Sequence, residues 1–531
     1  MSTRDSLLIF LIGVIVFTIG LGPEFLGLDA RFGMFVQEML RNGPTFFPTT
    51  YGQPYPDYPA TSTFLSYLAS VPFGKVTTFS AILPTAVVSA LILVVIYRIG
   101  AMHSRQWGLF AVLLALFTKE FFSLSRSISI DQYTTLVTVL CFYLMYSAQV
   151  YGRQKRLWFI PAFFAAGFAF RGPIGLVIPA AVVCAYYLYN RDLRKFLLMA
   201  AAAGILFLVC FKGLLLAAAY QGGTAFAERV WIMQMAGRVQ DVSKHSYAYY
   251  WVDSFAKYAL AYPFAVIVVI AMFKKIFKRE NANYRLLACL VVWILVVLIG
   301  MSIPSTKKIR YVLPMIPAAA LAASYMFIEP LEKGILSGVR EIFLKFCCWF
   351  PAGAGIAALA IWALDKQYPA LRDAHYLIVL FLMVALATAA HFLNTKLKEK
   401  SARALALTAV GVLTFIFVVV GIEEPISYSR DRTGPFVRQV EELRSQQPGE
   451  IVFYKISADG AAIKFMVNLD KPLKPQFIKT SDALLSFKIP AYFIAAKKDF
   501  DSLPQERVKL LADGKISHDD CVVFMLKQPD K

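Results

Sequence analysis

Two carboxylates and a set of cations stand where they could act on an anion held at a membrane surface. Asp29 lies two residues before Arg31 in Glu24-Phe-Leu-Gly-Leu-Asp29-Ala-Arg31-Phe32, and a helical pattern continues to Arg41 before Asn42-Gly43-Pro44. An acid that opens an amphipathic helix beside an apolar run puts its charge at a helix N-terminus and at the water–lipid boundary. There it could bind an acceptor or take its proton. Asp131 heads a later apolar run, in Ser127-Ile-Ser-Ile-Asp131-Gln132-Tyr133, where an acid is costly without a role. Arg171-Gly172-Pro173 puts a permanent cation at a helix break, and a guanidinium there can grip a phosphate with two parallel hydrogen bonds. Lys307, Lys308 and Arg310 crowd three cations into one short loop.

Each feature also has a plainer reading. Asp29 and Asp131 could be helix caps, Arg31 an interfacial anchor, and Arg171 part of a simple interfacial hairpin. Convergence on one face would be harder to dismiss, so the elements that carry these residues decide the matter.

Those elements are membrane helices. Hydrophobic residues make up 58% of the 531 and charged residues 17%, with a mean hydropathy of +0.59. Soluble domains are roughly a quarter charged, so the chain reads as an integral membrane protein. The net charge of +20 fits cytoplasmic loops retained by their Lys and Arg better than nucleic acid, for which no basic domain or motif is present. The seven cysteines show no disulfide framework or metal-ligand spacing and read as small core residues.

About thirteen apolar runs are near membrane length, the first from 6 to 22 and the last from 404 to 422, with 107–118, 158–170 and 173–190 counted separately. The first lacks a small-residue cleavage site and reads as a retained span. Basic clusters at Arg98/Arg105, Arg153–Arg156, Arg191–Lys195, Lys274–Arg279 and Lys396–Lys400 then fall on one face, which places the N-terminus in the cytoplasm. The outer face receives the 23–77 loop, the 119–130 segment, the Arg171 break, the 221–250 loop and the 302–310 segment. Lys307, Lys308 and Arg310 therefore violate the charge bias, which implies an anionic partner.

Residues 1–424 form the membrane part on this reading, and 425–531 a small outer α/β domain. In the latter, strand-like runs at 451–454 and 491–495 alternate with helical patterns at 435–446, 459–468, 481–487 and 503–512.

Taken in order, these motifs resemble the GT-C glycosyltransferases of the protein O-mannosyltransferase superfamily, most closely the bacterial branch that includes the lipid A aminoarabinose transferase. Leu28-Asp29-Ala-Arg31-Phe32 is similar to the first-loop motif. Gly52-Gln-Pro-Tyr55-Pro-Asp57-Tyr58-Pro59 is similar to the following Gly-x-Pro-Tyr-x-acid-Lys-Pro segment, with Tyr58 in place of its Lys. Asp131 stands for the second acid and Arg171 for the Lys of a Lys-Gly-Pro break. Gln234 with Arg238 stands for a His/Arg loop, and Ser305 to Pro314 for the Ser-x-x-Lys-x-x-Arg/Tyr-x-Leu-Pro segment.

The resemblance implies a helical polytopic membrane protein with outer juxtamembrane helices. It also implies transfer of a sugar from a polyprenyl-phosphate donor to lipid A, another glycolipid or protein, in the bacterial inner membrane. Arg171, Lys307, Lys308 and Arg310 would hold the donor phosphate, while Asp29 and Asp131 would serve the chemistry. Arg31, Tyr55, Asp57, Tyr58, Gln234 and Arg238 would contact acceptor or sugar. No resident cofactor or metal ligand is assigned, and assistance by a divalent ion is left open. Displacement in line would invert the anomeric centre. The rival from another class is a transporter or flippase of lipid-linked or anionic substrates, although such proteins place ionisable groups near the midplane and often contain inverted repeats. A scaffold protein would leave the polar pattern unexplained.

Overall fold

The computed structural model describes residues 3–236, 246–278, 281–328, 334–368, 371, 373–469, 473–485, 487 and 490–527. Its first helices are α1 (Thr3–Thr18), α2 (Gly27–Asn42), α3 (Thr61–Ser70) and the long α4 (Thr78–Gly100). Thr77 and Ser80 start α4 by exchanging side-chain and backbone hydrogen bonds, which satisfies donors that a helix end leaves unpaired. α5 (Arg105–Leu116) bends by 77° into α6 (Lys119–Ser125), and α7 (Ile130–Tyr151), α8 (Ile160–Tyr189) and α9 (Leu193–Trp231) follow. Arg126, at the end of α6, donates to the carbonyls of Val16 (3.1 Å) and Ile19 (2.7 Å) and is paired with Glu424 at 2.6 Å. One guanidinium thus closes the end of α1 and ties it to the far end of the bundle.

α8 carries the break that the sequence predicts. Arg171 (φ −141°, ψ 20°) and Gly172 (φ 58°, ψ −145°) are non-helical, and the positive φ at Gly172 is one that a side chain rarely tolerates. The chain turns back there: a Cβ on Gly167 would lie 2.1 Å from the Gly175 carbonyl oxygen, and one on Gly175 would lie 2.0 Å from that of Gly167. The arms touch backbone to backbone, which brings Arg171 to the tip of a tight helical hairpin. Gly175→Val is expected to force the arms apart and cost about 1–3 kcal/mol, as overpacking does. Thermal unfolding of the detergent-purified protein, with Gly204→Val in the same apolar bundle as a control whose Cβ meets nothing, checks this.

Among the described residues, nine helices are long and apolar enough to cross a membrane, or up to 11 if each of two bent pairs is one span. The difference from about thirteen apolar runs has two sources. The runs at 158–170 and 173–190 are the two arms of α8, and α1, with 16 residues, is about 24 Å long.

Two short strands, β1 (Thr49–Thr50) and β2 (Gln53–Pro54), pair antiparallel after α2, and the C-terminal part is a five-stranded sheet of β3 (Glu450–Tyr454), β4 (Gln476–Ile478), β5 (Ala491–Ala496), β6 (Val508–Ile516) and β7 (Asp519–Leu526) in the order β4-β3-β5-β7-β6. β3 runs parallel to β4 and β5, while β7 is antiparallel to β5 and β6. The helices expected over 435–446, 459–468 and 481–487 are present, the first slightly longer and the other two shorter, as Thr433–Gln446, Ala461–Met466 and Ser481–Leu485. The helix expected over 503–512 is not: Val508 onward is strand. An irregularity between Leu510 and Ala512 shifts the register, and it breaks the period-2 alternation by which a strand is read. The sheet rests on α2, with Ile463 and Val467 packed among Phe25, Phe32 and Phe35.

Candidate active site

α2, the loop that follows it, the start of α7, the α8 hairpin tip and the 309–315 turn meet at one polar cavity of about 280 Å³. Asp29, Arg31, Tyr58, Asp131, Arg171 and Arg310 all line it, with Ser123, Ser127 and Ser129.

Asp29 enters from the first turn of α2, half-buried, and accepts a hydrogen bond from the backbone N–H of Ile128 (2.8 Å). Burial raises its carboxyl from the usual 3.8 to about 7, against the opposing pull of that N–H. Its proton is therefore exchanged near neutral pH, where a general base works best.

Asp131, 3% exposed, is held between two guanidiniums. Arg171, 1% exposed, pairs directly with one carboxylate oxygen, and Arg310 Nε lies 3.4 Å from the other. The Arg171 guanidinium also sits over the rings of Tyr311 (4.9 Å) and Tyr58 (5.8 Å). A buried and a half-buried cation sharing one anion leave a net positive charge, as an anion-binding site requires.

The residues expected on the acceptor side form a second group. Arg31 is ion-paired with Asp57 at 3.4 Å and lies over Phe32 and Tyr55. Tyr58 donates its N–H to Asp57 Oδ1 (2.9 Å) within the 51–59 loop, and the Arg31–Asp57 pair ties that loop to α2. Gln234 is buried and donates to the Asp57 carbonyl oxygen at 3.3 Å.

An apolar cavity of about 360 Å³ adjoins this site, lined by Pro173, Val177, Ile178, Phe207, Val297 and Met301 among others. Gln234 and Tyr311 line it too, and since Tyr311 lies against Arg171, these side chains form the wall between the apolar cavity and the guanidiniums.

Not every predicted residue joins the cluster. Lys307 is buried, but its ammonium donates to the Pro304 carbonyl (3.0 Å) and lies over Tyr247. Lys308 is exposed, with its backbone N–H on the Tyr250 hydroxyl (3.2 Å). Neither lines the polar cavity. Arg238 lies outside the described residues. Two participants are not evident from side-chain type. Ile128 acts through its backbone and left no signal, whereas Tyr311 stood within the Ser305–Pro314 motif. Among the described residues, no group of three His, Cys, Asp or Glu side chains could hold a metal ion.

Comparison with known proteins bears on the fold that carries this site. Residues 57–216 match the family described as Dolichyl-phosphate-mannose-protein mannosyltransferase. An uncharacterised protein of Aquifex aeolicus (strain VF5) is 23% identical over 422 residues, 78% of this chain and 74% of the relative. The structure of ArnT from Cupriavidus metallidurans bound to undecaprenyl phosphate superposes with a TM-score of 0.74 at 15% identity, covering 98% of both chains. The same protein without ligand matches equally well. The chain thus carries, over nearly its whole length, the GT-C fold that its loop motifs implied, with residues 57–216 matching the mannosyltransferase family.

Proposed function

We propose that this protein is a membrane glycosyltransferase that moves a sugar from a polyprenyl-phosphate donor to a hydroxyl of a glycolipid or protein on the outer face of the bacterial inner membrane. The observation that carries this reading is the adjacency of the two cavities. An amphiphile can place an apolar tail against Val177, Phe207 and Val297 while its phosphate reaches Arg171 and Arg310 past Tyr311. The family match over residues 57–216, and the shared fold of a protein crystallised with undecaprenyl phosphate, support it.

Breaking the sugar–phosphate bond leaves negative charge on the departing phosphate. Fixed guanidiniums in a poorly solvated site stabilise that charge without reorganising. Asp131 holds Arg171 and Arg310 in place between reactions. Asp29 takes the proton of the acceptor hydroxyl, and attack in line inverts the anomeric centre. Arg31, Tyr55, Asp57 and Tyr58 shape the acceptor side. Lys307 and Lys308 add positive charge close to Arg310 that attracts the anionic donor, and Arg238 is assigned to the acceptor or sugar. The N-terminus lies in the cytoplasm and the sheet domain, 425–531, outside, so that both carboxylates face the outer leaflet.

Mass spectrometry of envelope lipids and glycoproteins from cells with and without the gene tests this. A sugar-sized mass should disappear from one acceptor in the deletion, with the polyprenyl-linked sugar accumulating. If no glycoconjugate changes and no precursor accumulates, the two cavities serve transport of a lipid-linked substrate instead.

A further inference from the structure

The helix that carries Asp29 is held from two sides, and one of them is the sheet domain at the other end of the sequence. Asn468 lies just beyond the Ala461–Met466 helix of that domain. Its side-chain oxygen accepts the N–H of Phe25 at 2.9 Å, and its side-chain nitrogen donates to the carbonyl of the same Phe25 at 3.2 Å. The same nitrogen donates to the Lys464 carbonyl at 2.9 Å, which fixes the amide on its own helix. One planar amide therefore reads both backbone groups of Phe25, as a neighbouring strand would. Asparagine is suited to this because it carries a donor and an acceptor on one short stem.

Phe25 stands four residues before Asp29. Between them Leu26 opens α2, and its carbonyl accepts the Asp29 N–H at 3.0 Å. Three further contacts join the C-terminal domain to α2 and to the segments before and after it. Gln37 donates to the Val467 carbonyl (2.7 Å), the Tyr51 hydroxyl to the Ala458 carbonyl (3.1 Å), and Arg438 pairs with Glu24 at 2.7 Å. The Asp29 carboxylate meets the membrane part through Ile128 N–H, so its position is fixed relative to the guanidiniums only while the backbone of α2 is held as well.

We propose that Asn468 is a positioning residue for the transfer reaction: by clamping Phe25 it holds the first turn of α2, and with it Asp29, at a fixed distance from the Arg171–Asp131–Arg310 group. The sheet domain is on this view a brace for the membrane site. The proposal rests on the transferase reading and adds a residue that no loop motif contains. Displacement of a reacting group by about 1 Å can cost roughly 100-fold in rate, and loss of the clamp frees the turn without touching the donor site.

The test uses full-length protein in detergent or nanodiscs, with the donor and acceptor found by envelope mass spectrometry. Asn468→Ala should lower kcat roughly 10- to 100-fold with the donor KM and the binding of undecaprenyl phosphate unchanged. Hydrogen exchange of the 25–29 amides should rise in the same variant. Asn468→Asp puts an acceptor oxygen against the Phe25 and Lys464 carbonyls where the amide nitrogen donated, so it should be impaired at least as much as alanine. Wild-type turnover in Asn468→Ala overturns the proposal. Loss of undecaprenyl phosphate binding along with turnover also overturns it, because the residue would then be holding the fold as a whole. Absence of transfer by the wild-type protein overturns the transferase reading itself, and this proposal with it.

Discussion

Asp29→Asn should lower kcat for a hydroxyl acceptor about 10²- to 10⁴-fold, the usual contribution of a positioned general base. Asparagine keeps an oxygen that can accept the Ile128 N–H, so geometry and donor binding should survive while the proton acceptor is lost. The pH profile separates this from a positional effect. With the carboxyl raised to about 7, wild-type kcat should climb tenfold per pH unit below that value and level off above it, and the variant should lose this limb. Stability should move in the opposite sense. A carboxyl whose folded value is raised contributes most below its unfolded value of 3.8, and that contribution declines as pH rises to about 7. Above pH 7 Asp29→Asn should therefore unfold at a temperature no lower than wild type. Unchanged turnover in the variant would point to an acceptor that arrives already ionised, such as a phosphate.

Arg171→Ala should be more damaging, because it fails twice. The leaving phosphate loses a fixed cation, which costs about 10²- to 10³-fold in kcat. Asp131, almost wholly buried, loses its direct partner and keeps Arg310 at 3.4 Å, and breaking a buried pair costs about 3–5 kcal/mol. Low yield of folded protein would then obscure the catalytic loss. The double variant Arg171→Met, Asp131→Leu removes both charges together and should recover most of the thermal stability without activity. Arg171→Lys should keep a measurable rate, because a point charge at the hairpin tip still faces the phosphate. If the double variant turned over at the wild-type rate, the guanidinium would have no part in the chemistry.

The sequence made these residues readable to different degrees. Asp29, Asp131 and Arg171 stood out because charge in apolar surroundings is costly, and they do share one cavity. The hairpin was legible in Arg171-Gly172-Pro173, since few other residues accept a positive φ next to a proline. Lys307 and Lys308 were read by their charge alone, yet where an ammonium points depends on the path of its loop, and the Pro304 carbonyl lies within reach. The order of the sheet was not legible, since parallel pairing of β3 with β5 joins segments that no local pattern links. The strand at Val508–Ile516 was hidden by its own irregularity. The docking of the sheet on α2 rests on Asn468 and Gln37, polar residues of a kind that any surface carries.

The contact between Asn468 and Phe25 also sets a schedule. Its partners are 443 positions apart, and chains grow at roughly 5–20 residues per second, so about 20–90 s separate their synthesis. Until the sheet has been translated and folded, the first turn of α2 has only the membrane part to rest on. A truncated or stalled chain would expose the cationic cavity without its brace. The enzyme is thus assembled last at the place where its sequence begins.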